Sequence, residues 1–201
     1  MEKCELAAGL QKACQNILDA EQELTDIDSR FGDADHGVTM AKIASAISQA
    51  VAQSKGGIQE MLDDAAMAVM MINGGSAVPL WNTWLDAMQE HAPGGDSITE
   101  SELKTMFTAA CQELSALSKA KIGDKTMMDT IIPATEAIAA CEGSCQEILE
   151  AGARAAEAGA DATRNFVARF GRARSYGIET LGTPDAGAVS VKYFFLGLAG
   201  R

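Results

Sequence analysis

Apolar residues recur at three- and four-residue steps along most of this chain, and that spacing predicts helices. Leu6, Leu10, Cys14, Ile17 and Leu18, with Glu and Gln between them, predict an amphipathic helix from about Cys4 to Leu24. Met40, Ile43, Ala44, Ile47 and Val51 predict a second over Val38 to Val51, ended by Lys55-Gly56-Gly57. Ile58 to Ile72 carries Met61, Met67, Met70 and Met71 at helical spacing, which assigns these methionines to the core. A helix from about Val78 to His91 has Pro79 in its first turn, where proline is tolerated. Thr99-Glu100-Ser101-Glu102 is a capping box, and Leu103, Met106, Phe107, Ala110, Leu114 and Leu117 carry the helix to about Lys119. Ile122 to Asp129 turns into a helix reaching Cys141, Gln146 to about Ala158 forms an alanine-rich one, and Asp161 opens another toward Phe170 with Phe166 and Val167 inward. The last segment, Ala188 to Leu198, fits two patterns. Val189, Val191, Tyr193 and Phe195 alternate as in a strand, whereas Val191, Phe194, Phe195 and Leu198 fit a helix. No other credible strand is available to pair with it, so helix is the reading. The sum is an all-α single domain of about eight helices joined by short loops.

Composition narrows the classes of function. The 201 residues, 47% hydrophobic, suffice for one substantial core. Lys and Arg total 16 against 28 Asp and Glu, a formal charge of −12 with a pI near 4.5. Such a surface repels nucleic acid and anionic membranes, so neither is an expected partner. The start, Met1-Glu2-Lys3-Cys4-Glu5, lacks the basic region and apolar run of a secretory leader, and no apolar span is long enough for a bilayer. Five cysteines without CxxC spacing read as free, mostly buried thiols in a reducing compartment, and the expected location is cytoplasmic. Cys141 and Cys145 have no neighbouring His or Cys to complete a zinc set.

Against that acidic background one stretch stands out: Asp28-Ser29-Arg30-Phe31-Gly32-Asp33-Ala34-Asp35-His36-Gly37. Three carboxylates so close raise one another's pKa unless a cation neutralises them, and an all-oxygen donor set suits a hard ion such as Mg²⁺. Gly32 and Gly37 are expected to supply positive φ angles that turn Asp28, Asp33 and Asp35 toward one point. A calcium EF-hand needs Gly sixth and Glu twelfth in its loop; counting from Asp28 finds Asp33 and Thr39, and counting from Asp33 finds Val38 and Ala44. An aspartyl-phosphate phosphatase would need a parallel sheet that the helical pattern does not supply, and no GxxxxGK[ST] run is present. Gly74-Gly75-Ser76 before a helix serves either as an ordinary cap or as a cradle of backbone N–H groups for phosphate. Gly171-Arg172-Ala173-Arg174 is basic where the rest is acidic; its arginines read equally as solvated surface or as ligands of an anion. A metal site at a helix start, further Gly-rich helix starts and an Arg are the parts that a nucleotide diphosphate needs.

Asp28 with Gly32-Asp33-Ala34-Asp35-His36-Gly37, Gly74-Gly75-Ser76, Gly123-Asp124-Lys125-Thr126-Met127, Gly171-Arg172-Ala173 and Asp185-Ala186-Gly187-Ala188 resemble, in this order and over nearly the whole chain, the nucleotide-binding L subunit of dihydroxyacetone kinase. The resemblance implies an antiparallel α-helical barrel with ADP or ATP at one end. It implies two Mg²⁺ ions on Asp28, Asp33 and Asp35, and phosphoryl transfer to a ketose held by a separate K-type subunit. By position, His36, Gly37, Val38 and Thr39 would lie along the phosphates, joined by Ser76 and Ala77. Ser118 would contact the nucleotide, Met127 would flank the adenine, and Asp185, Ala186 and Gly187 would close the pocket. Arg172 would be the catalytic residue beside the transferred phosphate. Asp185-Ala186-Gly187 stands where the family often has Asp-Pro-Gly, and Arg174 where relatives have a small residue. Members take phosphate either from free ATP or through ADP recharged by a phosphohistidine protein of the sugar phosphotransferase system, and the sequence leaves both donors open. It equally leaves open a homodimer, and a non-enzymatic role in which the nucleotide-loaded domain binds a partner.

Overall fold

The computed structural model describes the whole chain, Met1–Arg201. Nine α-helices form: α1 (Lys3–Asp19), α2 (Glu21–Asp28), α3 (His36–Gln53), α4 (Ile58–Met70), α5 (Ala77–Glu90), α6 (Glu100–Ser118), α7 (Met128–Ala140), α8 (Cys145–Ala162) and α9 (Ala186–Leu198). Apart from an isolated bridge between Glu2 and Ser97 there is no β-structure, and no helix is long and apolar enough to cross a membrane.

Eight of the helices close a ring. α1 packs on α3, each later helix packs on the next, and α9 returns to α1, while α2 lies against α3 and α9. Neighbours run antiparallel. Lys3 at the start of α1 donates to the Ser54 and Gly56 carbonyls beyond the end of α3. Asn82 early in α5 donates to Ala66 late in α4, and Gln146 at the start of α8 donates to Ala199 after α9. The expected antiparallel barrel is therefore present. Its interior is filled with side chains: Trp81 and Trp84 of α5, Phe107 of α6 and Phe194 and Phe195 of α9 are at most 1% exposed, with successive ring centroids 5.2–5.7 Å apart. Tilted and edge-on pairs of this kind add to plain burial.

α9 is a helix, and its strand-like alternation has a physical cause. Val189, Ser190, Val191, Phe194, Phe195 and Leu198 are all buried, so nearly every face of this helix meets protein and no single apolar stripe remains. It also crosses α1 at close range. A Cβ on Gly197 would stand 2.2 Å from the Ala13 backbone, so only glycine permits that approach.

Four expectations need correction. The first helix breaks at Ala20 (φ −92°, ψ 3°), so the stretch to Leu24 belongs to two helices. α8 continues without interruption to Ala162: Gly159 lies against the Asp129 carbonyl, which keeps α8 packed on α7, and Asp161 caps nothing. The stretch toward Phe170 is a single 3₁₀ turn, Thr163–Asn165, followed by irregular chain, and Thr163 and Ala168 are the buried positions there instead of Phe166 and Val167. Of the four methionines between Ile58 and Ile72 only Met61 is buried; Met67, Met70 and Met71 are exposed, because they point away from the face of α4 that Ile58, Met61, Leu62, Ala65 and Val69 turn to the core.

Candidate functional site

The acidic stretch joins α2 to α3, and Asp28, the last residue of α2, organises it. Its carbonyl accepts from Phe31 N (3.1 Å) and Gly32 N (2.6 Å), and its Oδ2 accepts from Asp35 N (3.1 Å) and His36 N (3.4 Å) at the start of α3. Asp28 thus caps α3 from outside, while Asp35, at the N-cap position, makes no side-chain cap bond. The glycines act differently from expectation, since neither Gly32 nor Gly37 has a positive φ. The left-handed residue is Ala34 (φ 60°). A Cβ on Gly32 would meet Asp28 Oδ1 at 2.1 Å, and one on Gly37 would meet the Glu21 carbonyl and Thr25 Oγ1 at 2.1–2.2 Å. These glycines make room for a folded-back carboxylate and for α2.

The outcome is a cluster in which one oxygen from each of Asp28, Asp33 and Asp35 lies within 4.8 Å of the others. Burial and then the Asp33 and Asp28 charges push the Asp35 carboxyl above its ordinary range, against the opposing pull of Arg172. Arg172 forms an ion pair with Asp33. Three convergent hard oxygen donors, one raised in pKa by burial and then by its neighbours' charges, fit a divalent cation of the Mg²⁺ kind.

The cluster stands on the wall of a cavity of about 820 Å³, within the range of small-molecule sites. Five separate stretches line it: the acidic loop and start of α3, the start of α5, the end of α6 with the 125–127 turn, the 170–173 loop, and residues 184–187 at the start of α9. Of the residues singled out in the sequence, His36, Thr39, Ser76, Ala77, Ser118, Met127, Arg172, Asp185, Ala186 and Gly187 line this cavity together with the three aspartates. Gly37 and Val38 do not: Gly37 is buried against α2, and Val38 is 43% exposed on the outer surface. Ser76 makes no cap hydrogen bond and is exposed, so the ordinary-cap reading fails. Arg174 faces solvent outside the cavity.

Several wall groups are held firmly. Asp185 caps α9 through Ala188 N (2.8 Å), and burial pushes its carboxyl up to about 7. His36 Nε2 sits 3.2 Å from Ser190 Oγ, linking α3 to α9; burial lowers its pKa, which favours the neutral ring against the pull of Asp28. The spacing reading missed Lys125 and Asp129, both buried, and Leu117 and Phe170 on the cavity wall. A Lys inside a Gly-Asp-Lys-Thr turn was the available signal for Lys125; nothing local marks Phe170. Exposed large apolar side chains, Val38, Met70, Met71, Leu117, Ile122 and Ile178 among them, gather at this end of the ring, and none flanks the junctions at the other.

The chain is similar to known proteins over most of its length. The DAK2 domain model matches residues 30–200. The ADP-binding subunit DhaL of the PEP-dependent dihydroxyacetone kinase of Escherichia coli is 32% identical over 193 residues, covering 92% of this chain and 91% of that protein. The D-erythrulose kinase of Mycolicibacterium smegmatis is 34% identical over 192 residues, and there the match spans 92% of this chain but 33% of the relative. The crystal structure of the dihydroxyacetone kinase from C. freundii in complex with AMP-PNP and Mg²⁺ superposes with a TM-score of 0.74 at 23% identity, over 97% of this chain and 33% of that one, a likeness of fold.

Proposed function

The chain belongs to the DAK2-domain family, and on that premise we propose that it is the nucleotide-binding subunit of a cytoplasmic dihydroxyacetone or related ketose kinase. The observation that carries this reading is the carboxylate trio at a cavity of about 820 Å³, faced by Arg172. ADP or ATP occupies the cavity with two Mg²⁺ ions on Asp28, Asp33 and Asp35, and the ketose is held by a separate K-type subunit. When bound, Mg²⁺ neutralises phosphate oxygens as transfer proceeds.

This chain's own contribution is positioning and charge. Asp28 is fixed by two backbone amides, so its carboxylate is aimed before any ligand arrives. Arg172 can exchange its Asp33 partner for the transferred phosphate, which makes it the catalytic residue. His36 is neutral and tied to Ser190, so it orients the start of α3 without carrying charge. Met127 and Leu117 give the base an apolar wall, and Ser118 a polar contact. No group in the chain is placed as general base; that role falls to the partner. The apolar rim around the mouth supports docking of a second protein there, since scattered exposure would not concentrate at one end. The phosphoryl donor is free ATP, or a phosphohistidine phosphotransferase-system protein that recharges bound ADP.

The test is ketose phosphorylation by the purified chain with and without a K-type subunit, together with measurement of ADP retained through dialysis. Transfer that needs both chains and Mg²⁺ is expected. Transfer by the chain alone, or failure to bind Mg·ADP, would refute the reading.

A further inference from the structure

Lys125 is buried, yet the phosphoryl-transfer scheme above makes no use of it. It is 4% exposed and holds a left-handed backbone (φ 62°), which a side-chain-bearing residue adopts only where its surroundings compel it. The compulsion comes from Asp129, also buried, whose carboxylate accepts from Gly123 N and from Thr126 N (2.7 Å) and so shapes the turn that carries Lys125. From that turn the ammonium donates to two main-chain carbonyls, Thr163 O (2.6 Å) and Thr183 O. Those two residues bracket the loop that connects α8 to α9, and Arg172 lies midway along it. Near the same neck Gly182 N donates to Arg164 O (2.8 Å) and Asp185 N to Thr163 Oγ1 (3.0 Å). At the loop's far side Arg172 meets Asp33, and Tyr176 packs on Phe31 with centroids 5.2 Å apart.

We propose that Lys125 is the positioning residue of Arg172: by tying Thr163 O to Thr183 O it closes the neck of the 164–182 loop and so holds Arg172 at the cavity mouth beside Asp33. A buried ammonium is costly unless its donors are paired, and here two are paired with carbonyls: Thr163 O, which also accepts from Phe166 N (3.1 Å), and Thr183 O. Asp185 and Asp129 favour its charge, against burial, which lowers its pKa. Removing the ammonium leaves both carbonyls without it, and the neck is then held only by the weaker neutral bonds Gly182 N to Arg164 O and Asp185 N to Thr163 Oγ1. The loop should then sample open states more often, while the ring beneath it stays packed.

The inference rests on the kinase reading only where it concerns Arg172 and nucleotide, so two readouts separate them. Exposed Arg169, Arg172 and Arg174 make the loop a trypsin substrate when it opens. In Lys125→Met, without nucleotide, cleavage inside the loop should accelerate about tenfold or more while helicity is retained. In calorimetric titration with Mg·ADP, Lys125→Met and Arg172→Ala should each weaken binding about tenfold, and the double variant should be no weaker than either alone. Unchanged cleavage, or affinity losses that multiply, would overturn the proposal. If the unaltered chain binds no Mg·ADP, the kinase reading fails and the cleavage readout decides the neck by itself. Should Lys125→Met not fold, Lys125→Gln, which keeps a donor for one of the two carbonyls, carries the same two readouts.

Discussion

Asp28 and Asp33 sit in the same cluster but are built in differently, and replacing each by alanine separates ligand binding from folding. Asp33 is exposed and contacts Arg172, itself two-thirds exposed. An ion pair of that kind contributes at most about 1 kcal/mol. Its loss is offset by relief of repulsion from Asp28 and Asp35, so Asp33→Ala should change the stability of the metal-free protein by less than about 0.5 kcal/mol. Asp28 accepts from two backbone amides at the start of α3, at 3.1 and 3.4 Å. Losing a capping acceptor for them costs about 1–2 kcal/mol. For a chain of this size that corresponds to a melting point lower by about 2–8 °C. Both variants should lose Mg·ADP binding in calorimetry, and the rise in melting temperature that Mg·ADP gives the unaltered chain should vanish in both. Equal destabilisation by the two substitutions would refute the division of roles. Wild-type Mg·ADP affinity in Asp33→Ala would remove the metal site altogether.

Gly197→Ala forces a Cβ into the Ala13 backbone at 2.2 Å, and with backbone on both sides nothing can yield cheaply; a loss of about 1–3 kcal/mol in denaturant titration is expected. The folded-state pKa of Asp185 is raised to about 7 from 3.8, so the native metal-free protein holds a proton that the unfolded chain has released, and stability falls as pH rises through that interval. Asp185→Asn keeps an N-cap residue and removes this titration, so it should gain stability relative to the unaltered chain at pH 8 and not at pH 4; urea titrations at both values check it. Lowered His36 works in the opposite direction, since its contribution is present above about pH 6.5 and is lost on acidification, so His36→Gln should flatten the acid limb of the same profile. Among the thiols, Cys4 is exposed while Cys14, Cys111 and Cys145 are buried, so native alkylation read by mass spectrometry should label Cys4 first and the buried three only on unfolding.

Local chemistry made much of this protein readable from its residues. Helical spacing needs no knowledge of neighbours, so seven of the nine helices, α3 to α9, were placed to within a few residues, and the capping box of Thr99 and Glu102 forms as read. Crowded aspartates between two glycines mark an acidic loop wherever they fold, and the Gly-rich helix starts are local too. What spacing could not decide was contact with something distant. Met67, Met70 and Met71 lie on the side of the Ile58–Ile72 stretch away from Ile58, Met61, Leu62, Ala65 and Val69, and ring closure covers only the side that those residues occupy. Gly32 and Gly37 owe their presence to close approach by Asp28 and α2, and not to backbone angle. Phe166 and Val167 lost their helix because α8 is held straight against α7 as far as Ala162.

The site itself divides in the same way. The residue types suited to Mg²⁺ and phosphate were already written in the chain. That Asp28, Ser76, Met127, Arg172 and Asp185 meet around one cavity follows only from antiparallel closure, which brings alternate helix junctions to the same end of the ring. Lys125 depends on it most, since its two carbonyl partners lie 38 and 58 residues further along and no period in the sequence connects them.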